Sequence, residues 1–303
     1  MMFVAFLAWV YACSINPGCP EHETVQEFQI EYFLGRWYEM YRSPDPERDT
    51  GSCVTNEFLQ AVEKDGDWTL IRRKDGKDHK TLKARELWDQ VAYAAWASAD
   101  PGVQYDTTIN EWNPVKNSGR INSSNPCSEY MFLDDTACNL ASLNLMTFVD
   151  DEGEFETEDY RRAAGLTILG QEILVDFADY PTAQIERNSH LYRPLGLGYA
   201  NLGALLMANG LAYDGVQGRN VAAALTSLMC GEAYRMSAEI AEAMGPFARF
   251  KANRKPFLEV IEKHRDAAYA VSPAGVQKDL MKAARQSWDA ALEMGQEHGY
   301  KNG

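Results

Sequence analysis

The side chains best equipped for chemistry stand together near the middle of the chain. There Asn125-Pro126-Cys127-Ser128-Glu129 offers an amide, a thiol and a carboxylate at alternate positions. On an extended backbone alternate residues share one side, so these three groups would face one small polar molecule. They would present a hydrogen-bonding amide, a redox-capable sulfur and a proton acceptor. A second thiol, Cys138 in Thr136-Ala137-Cys138-Asn139-Leu140, follows eleven residues after Cys127. A plainer account competes with this one. Asn-Pro commonly starts a turn, and a free cysteine is often a small buried hydrophobe, so the same residues could be a turn with two core thiols.

The other reactive residue types are scattered. The six cysteines lie at 13, 19, 53, 127, 138 and 230 without a C-x-x-C pair, and the five histidines lie at 22, 79, 190, 264 and 298 without H-x-x-x-H spacing. No protein-ligated metal site is expected from these spacings. Gly196-Leu197-Gly198 with Gly203 hints at a dinucleotide fingerprint, but no hydrophobic strand is read ahead of it, and helix packing accounts for the glycines. Cys230 reads as core. Trp88, Trp96 and Trp288 read as packing residues within helices, and His264 reads as part of a charged helix face with Glu262, Lys263 and Arg265.

The elements that must position the thiols are mostly helical. Apolar residues at helical steps predict a helix through Leu82, Leu87, Val91 and Ala95 that stops before Asp100-Pro101-Gly102. Further helices are expected at about Tyr160 to Phe177, Gly198 to Met207, Val221 to Met244, Pro256 to Ala270 and Val276 to Gly295. Tyr105 to Leu145, rich in Asn, Ser, Pro and Cys, fits no helical pattern. A long irregular stretch inside a compact domain is usually functional. With 44 acidic and 29 basic side chains in 303 residues, the net charge is −15. Such a chain has no broad cationic surface for a nucleic-acid polymer. The apolar run Met1 to Ala12 is too short for a membrane span of roughly 20 residues and fits either a secretory signal or a buried element.

Three blocks carry a resemblance: DPGVQYDTTINEW, then INSSNPCSEYMFLDDTACNLASLNLMTF, then YRPLGLGYANLGALLMANGLAYDG. From about Cys53 to Asn302 the chain resembles the catalytic chain of the adenosylcobalamin-dependent (class II) ribonucleotide reductases. The resemblance implies an α/β fold, the helix-rich central part of a ten-stranded α/β barrel lacking strands at both ends. It makes Cys127 the site of a transient thiyl radical at the bottom of an enclosed cleft and Glu129 the general base for the ribose 3′-hydroxyl. Asn125 would bond the ribose hydroxyls, Ser124, Pro126 and Ser128 would contact substrate, and Cys138 would be one member of a redox-active pair. The implied cofactor is adenosylcobalamin, with no metal held by side chains. The implied partners are a ribonucleotide, a thioredoxin-like dithiol protein and a second copy of the chain, in the cytoplasm. The resemblance departs in three places: the upstream partner of Cys138 is not matched, Cys53 is not assigned that role, and neither the substrate-phosphate loop nor the carboxy-terminal shuttle cysteines are present. An inactive fragment is therefore the expected alternative.

The amino-terminal 52 residues resemble something else. Cys19-Pro20, Val25-Gln26 with Phe28, and Gly35, Trp37, Tyr38 and Glu39 are similar to the first block of the lipocalins, secreted ligand carriers. The alternating strands of such a barrel do not follow. The division expected is thus a leader with a lipocalin-like segment over 1–52, foreign to the rest, and a partial reductase barrel over 53–303.

Overall fold

The computed structural model describes residues 53–72, 74–99, 101–125 and 127–303. Within them residues 69–80, the outer part of a strand pair β2 (Asp67–Ile71) and β3 (Asp78–Lys83), belong to one compact unit, and the remaining described residues form another. The expectations for 1–52 lie outside the described residues.

The larger unit begins with β1 (Cys53–Val54), α1 (Asn56–Glu63) and α2 (Ala84–Ser98). Thr55 caps α1 by accepting from the Phe58 amide at 3.3 Å, satisfying one of the donors a helix start leaves free. α2 ends at Ala99 in the left-handed conformation, one residue before Asp100-Pro101. β4 (Gln104–Tyr105) then pairs parallel with β1 and leads into α3 (Asp106–Glu111).

The central motif is a parallel strand pair. β5 (Asn139–Asn144) runs into a short 3-10 turn and then α4 (Thr157–Phe177) and α5 (Ala183–Tyr192), which return the chain to β6 (Leu195–Ala200). β6 lies parallel to β5 in register from Asn139 opposite Leu195 to Asn144 opposite Ala200. Parallel neighbours require such a long crossover, and helices supply it. A Cβ on Gly196 would run into the Leu140 side chain, so this strand position takes only glycine without a shift. The four remaining helices are α6 (Leu202–Ala208), α7 (Val216–Met244), α8 (Phe250–Ala270) and α9 (Lys278–His298).

Two apolar clusters hold this arrangement. One joins Leu145, Tyr160, Leu205, Leu225, Leu228 and Leu280 beneath β5 and β6. The other gathers Phe247, Phe250, Phe257, Ile261, Trp288 and Tyr300, with Cys230 at its edge. Beside α4, Arg193 donates through Nε to Glu172 at 2.6 Å and through Nη1 to Asp176 at 2.7 Å, while Asn302 donates to the other Glu172 oxygen at 2.6 Å. The guanidinium holds the Asp176 carboxyl below its ordinary range.

Four expectations need correction. The segment read as a helix from Gly198 is a strand to Ala200 and a helix only from Leu202, so Gly196 and Gly198 serve strand approach rather than helix packing. α8 begins six residues before Pro256. Proline removes the amide that would have bonded the Ala252 carbonyl, and Asn117 Nδ2 fills that place at 2.9 Å. Trp96 is 81% exposed, not packed, whereas Trp288 is buried. His264 is half-buried between Trp112 and Trp288, ring centroids 4.9 and 5.2 Å away, rather than on an open charged face.

The α/β class and the helical excess agree with the sequence. Among the described residues the strands form three separate pairs and do not close a barrel, and no lipocalin-like meander is formed. No described helix is long and apolar enough to cross a membrane.

Candidate functional site

The Asn125–Glu129 segment forms a tight turn. Its Ser128 amide donates to the Asn125 carbonyl at 3.0 Å, and Ser128 adopts a left-handed conformation with φ of 65°. The extended alternation expected from the sequence is therefore broken between Cys127 and Glu129. Asn125 spends its side chain on the loop itself, accepting from the Tyr130 amide at 3.0 Å, while its own amide donates to the Tyr130 carbonyl at 3.3 Å. Pro126 lies outside the described residues.

Three neighbouring elements fasten this loop. From β4, Gln104 Nε2 donates to Ser128 Oγ at 2.6 Å and to Ser124 Oγ at 3.1 Å. Ser124 Oγ in turn donates to the Asn125 carbonyl at 2.9 Å. From α3, Asn110 accepts from the Ile121 amide at 3.0 Å and donates to the Ile121 carbonyl at 3.1 Å. From α5, the buried Ser189 accepts from the Ala137 amide at 3.1 Å.

Cys138 stands at the head of β5 beside the Gly196 backbone, its Sγ 3.7 Å from where a Gly196 Cβ would lie. Behind it the buried Gln171 of α4 donates to the carbonyls of Asn139 at 3.0 Å and Gly196 at 2.7 Å, one on each strand. Burial, reinforced by the nearby Glu129 charge, raises the Cys138 pKa above the ordinary thiol value. At neutral pH Cys138 is therefore a proton-bearing thiol. Tyr130, half-buried beside it, is pushed well above the usual phenol range chiefly by desolvation, while its hydroxyl pairs with Thr136 Oγ1 at 2.7 Å.

The structure thus brings Glu129, Tyr130 and Cys138 into one electrostatic neighbourhood and joins Ser124, Asn125 and Ser128 in one hydrogen-bonded loop. Cys127 is exposed, as are Ser128 and Glu129. The enclosed cleft expected around Cys127 is not formed by the described residues, because enclosure needs walls facing the loop and the sheet that carries Cys138 has two strands. Exposure also removes the plainer account of two core thiols. Cys230 is the core cysteine of the three, with burial pushing its thiol up to about 12. The backbone of Cys53 pairs in β1 with Gln104 of β4.

The sequence does not single out Gln104, Gln171 or Ser189. Gln104 lies in the DPGVQYDTTINEW block, but no spacing rule marks a glutamine that acts across twenty residues. Ser189 sits on α5, a helix that the sequence pattern does not predict. Among the described residues no group of three His, Cys, Asp or Glu side chains could hold a metal ion. A surface groove of about 520 Å³ is lined by α8 and α9 residues such as Lys251, Arg254, Lys255 and Gln296, and none of its lining belongs to the thiol loop.

The parallel strand-helix-strand unit, with Cys138 at the head of β5 and the Cys127 loop ahead of it, defines an α/β domain. Residues 46–303 match the family described as ribonucleotide reductase, barrel domain, and the chain belongs to that family. It is 49% identical over 265 residues to a vitamin B12-dependent ribonucleotide reductase of Agrobacterium fabrum, covering 82% of this chain and 21% of the relative. A protein of the same name from Bradyrhizobium diazoefficiens is 49% identical over 295 residues, covering 91% of this chain and 24% of the relative. A vitamin B12-dependent ribonucleoside-diphosphate reductase of Mycobacterium tuberculosis is 33% identical over 222 residues, 73% of this chain and 32% of the relative. The chain spans about a fifth to a third of the length of these relatives.

Proposed function

We propose that this chain carries the thiol-bearing core of a ribonucleotide reductase that uses adenosylcobalamin to convert ribonucleotides into 2′-deoxyribonucleotides. The observation that carries the reading is the loop from Asn125 to Tyr130, tied on itself and fastened by Gln104 to β4, with Glu129 close enough to the Cys138 thiol to shift its pKa.

In this reading Cys127 exchanges a hydrogen atom with ribose C3′. Its exposed sulfur fits a group that must be reached by a large cofactor. When bound, adenosylcobalamin supplies a carbon radical able to take the hydrogen of a thiol. Glu129 draws the proton from the 3′-hydroxyl. Cys138, kept protonated by burial and by Glu129, is suited to give a proton as the 2′-hydroxyl leaves as water. Asn125, Pro126, Ser124 and Ser128 are assigned to substrate contact, with the Asn125 side chain turning from Tyr130 to ribose when substrate arrives. A dithiol protein of the thioredoxin kind regenerates the Cys138 pair, and a homodimer in the cytoplasm is the assembly assigned.

The division at residue 52 belongs to the same proposal, with 53–303 a partial barrel and 1–52 a leader with a lipocalin-like segment; the family match from residue 46 and the relative that covers 91% of the chain weigh against a wholly foreign 1–52. Sequencing the uninterrupted transcript across Gly51 to Val54 tests it: a junction absent there supports a foreign segment, and an intact one ends that part of the proposal. The reading as a whole is tested by incubating the chain with adenosylcobalamin, ribonucleoside diphosphates or triphosphates and dithiothreitol, beside Cys127→Ala. Deoxyribonucleotide from the parent chain alone is expected. Equal product from both would end the thiyl assignment, and none from either would favour an inactive fragment.

A further inference from the structure

We infer that Gln104 is the positioning residue for Cys127. The inference rests on reading Cys127 as the radical thiol, but its observations are independent of that chemistry. Gln104 sits on β4, whose backbone is fixed by parallel pairing with β1, Gln104 opposite Cys53. Its amide nitrogen has two donors, and both are used on the thiol loop: one on Ser124 Oγ at 3.1 Å, the other on Ser128 Oγ at 2.6 Å. These two serines flank Asn125, Pro126 and Cys127 on either side, and their hydroxyls lie 3.5 Å apart. One side chain therefore grips both ends of the segment that carries the sulfur.

The grip matters because the segment is not at rest by itself. Ser128 holds φ at 65°, a conformation that non-glycine residues adopt only when their surroundings impose it. Cys127 precedes it directly and is exposed, so no packing fixes its orientation. Hydrogen-atom transfer demands a sulfur held about 3–3.5 Å from the reacting carbon, and a misplacement of about 1 Å is costly. An exposed thiol can meet that demand only if its backbone is held, and Gln104 is the side chain from outside the loop that holds it at this point. The other fastenings act further away, Asn110 at Ile121 and Ser189 at Ala137.

The test is a double-mutant cycle in the full chain read by hydrogen exchange, without cofactor or substrate. Gln104→Ala should speed exchange of the Ser128 and Tyr130 amides by roughly tenfold, the scale of one or two lost hydrogen bonds. Ser128→Ala should speed exchange of the Tyr130 amide too, and the double variant no more than Gln104→Ala alone at that amide, because the link that Ser128→Ala removes is one of the two already removed by Gln104→Ala. Gln104→Glu keeps the reach and can accept from the Ser128 hydroxyl, so it should restore most of the protection; a residue with a merely structural role would show no such rescue. The urea midpoint and the alkylation rate of Cys230 should stay at parent values. Additive effects, unchanged exchange, or a lowered midpoint that explains the exchange would overturn the assignment. Since no turnover is needed, a negative outcome here leaves the thiyl reading to its own assay, and the failure of that assay leaves the grip of Gln104 intact.

Discussion

Replacing Gln171 with leucine removes the donor that ties both strands of the thiol-bearing sheet to α4. The side chain is 4% exposed, and its nitrogen reaches the Asn139 carbonyl at 3.0 Å and the Gly196 carbonyl at 2.7 Å. Leucine fills similar space, so little cavity is created and the loss is almost wholly polar. A hydrogen bond lost from the interior costs about 0.5–1.5 kcal/mol net, so the two together place the expected destabilisation at roughly 1–3 kcal/mol. With a urea slope of about 3 kcal/mol per molar, the midpoint should fall by about 0.3–1 M. Unfolding followed by tryptophan fluorescence measures this, since Trp288 is buried in the core. The strand that loosens is the one headed by Cys138, so its reaction with iodoacetamide, mapped by peptide mass, should accelerate while Cys230 stays slow. A midpoint shift below about 0.2 M, with Cys138 labelling unchanged, would refute the view that Gln171 holds this sheet; on the same slope that is a loss of well under 1 kcal/mol.

Gly196→Ala should cost less than about 1 kcal/mol, because the added methyl meets only the end of the Leu140 side chain, which is 66% exposed and can turn aside, while its approach to Cys138 Sγ is ordinary contact. It should also slow alkylation of Cys138, and a loss of several kcal/mol would show that Leu140 cannot turn aside and that the strand pair itself is disturbed. Burial between Trp112 and Trp288, then the charge of Lys263, lowers the His264 pKa below the ordinary 6.5. The unfolded chain therefore binds the proton more readily, so its contribution to stability is complete above about pH 6.5 and is lost as pH falls towards the lower folded value. His264→Phe should flatten the stability profile between about pH 5 and 7, and an unchanged slope in that variant would remove His264 from the account.

Sequence and structure divide the thiols between them. Cys127 and Cys138 were legible because an amide, a thiol and a carboxylate stood close together in an otherwise irregular stretch, and such local chemistry needs no fold to be noticed. The long helices were legible for the same reason, since Tyr160 to Phe177 and Val221 to Met244 repeat apolar residues at helical steps. The strand through Gly196 and Gly198 was not, because its pattern is set by the approach of β5 rather than by its own alternation. Nor was the start of α8, where Asn117 from a distant turn offsets what Pro256 removes.

Residue type by itself determined which atoms could react: a thiol, a carboxylate and an amide carry their chemistry wherever they lie. Only the tertiary structure decided their state. It turned the Asn125–Glu129 backbone into a bend instead of an extended run, left Cys127 in solvent, and set Cys138 against the backbone of Gly196, where burial and then the Glu129 charge raise its pKa. It also assigned Gln104, Gln171 and Ser189 to hold them, since hydrogen bonds across twenty, thirty or fifty residues depend on how the chain returns, which no local pattern records.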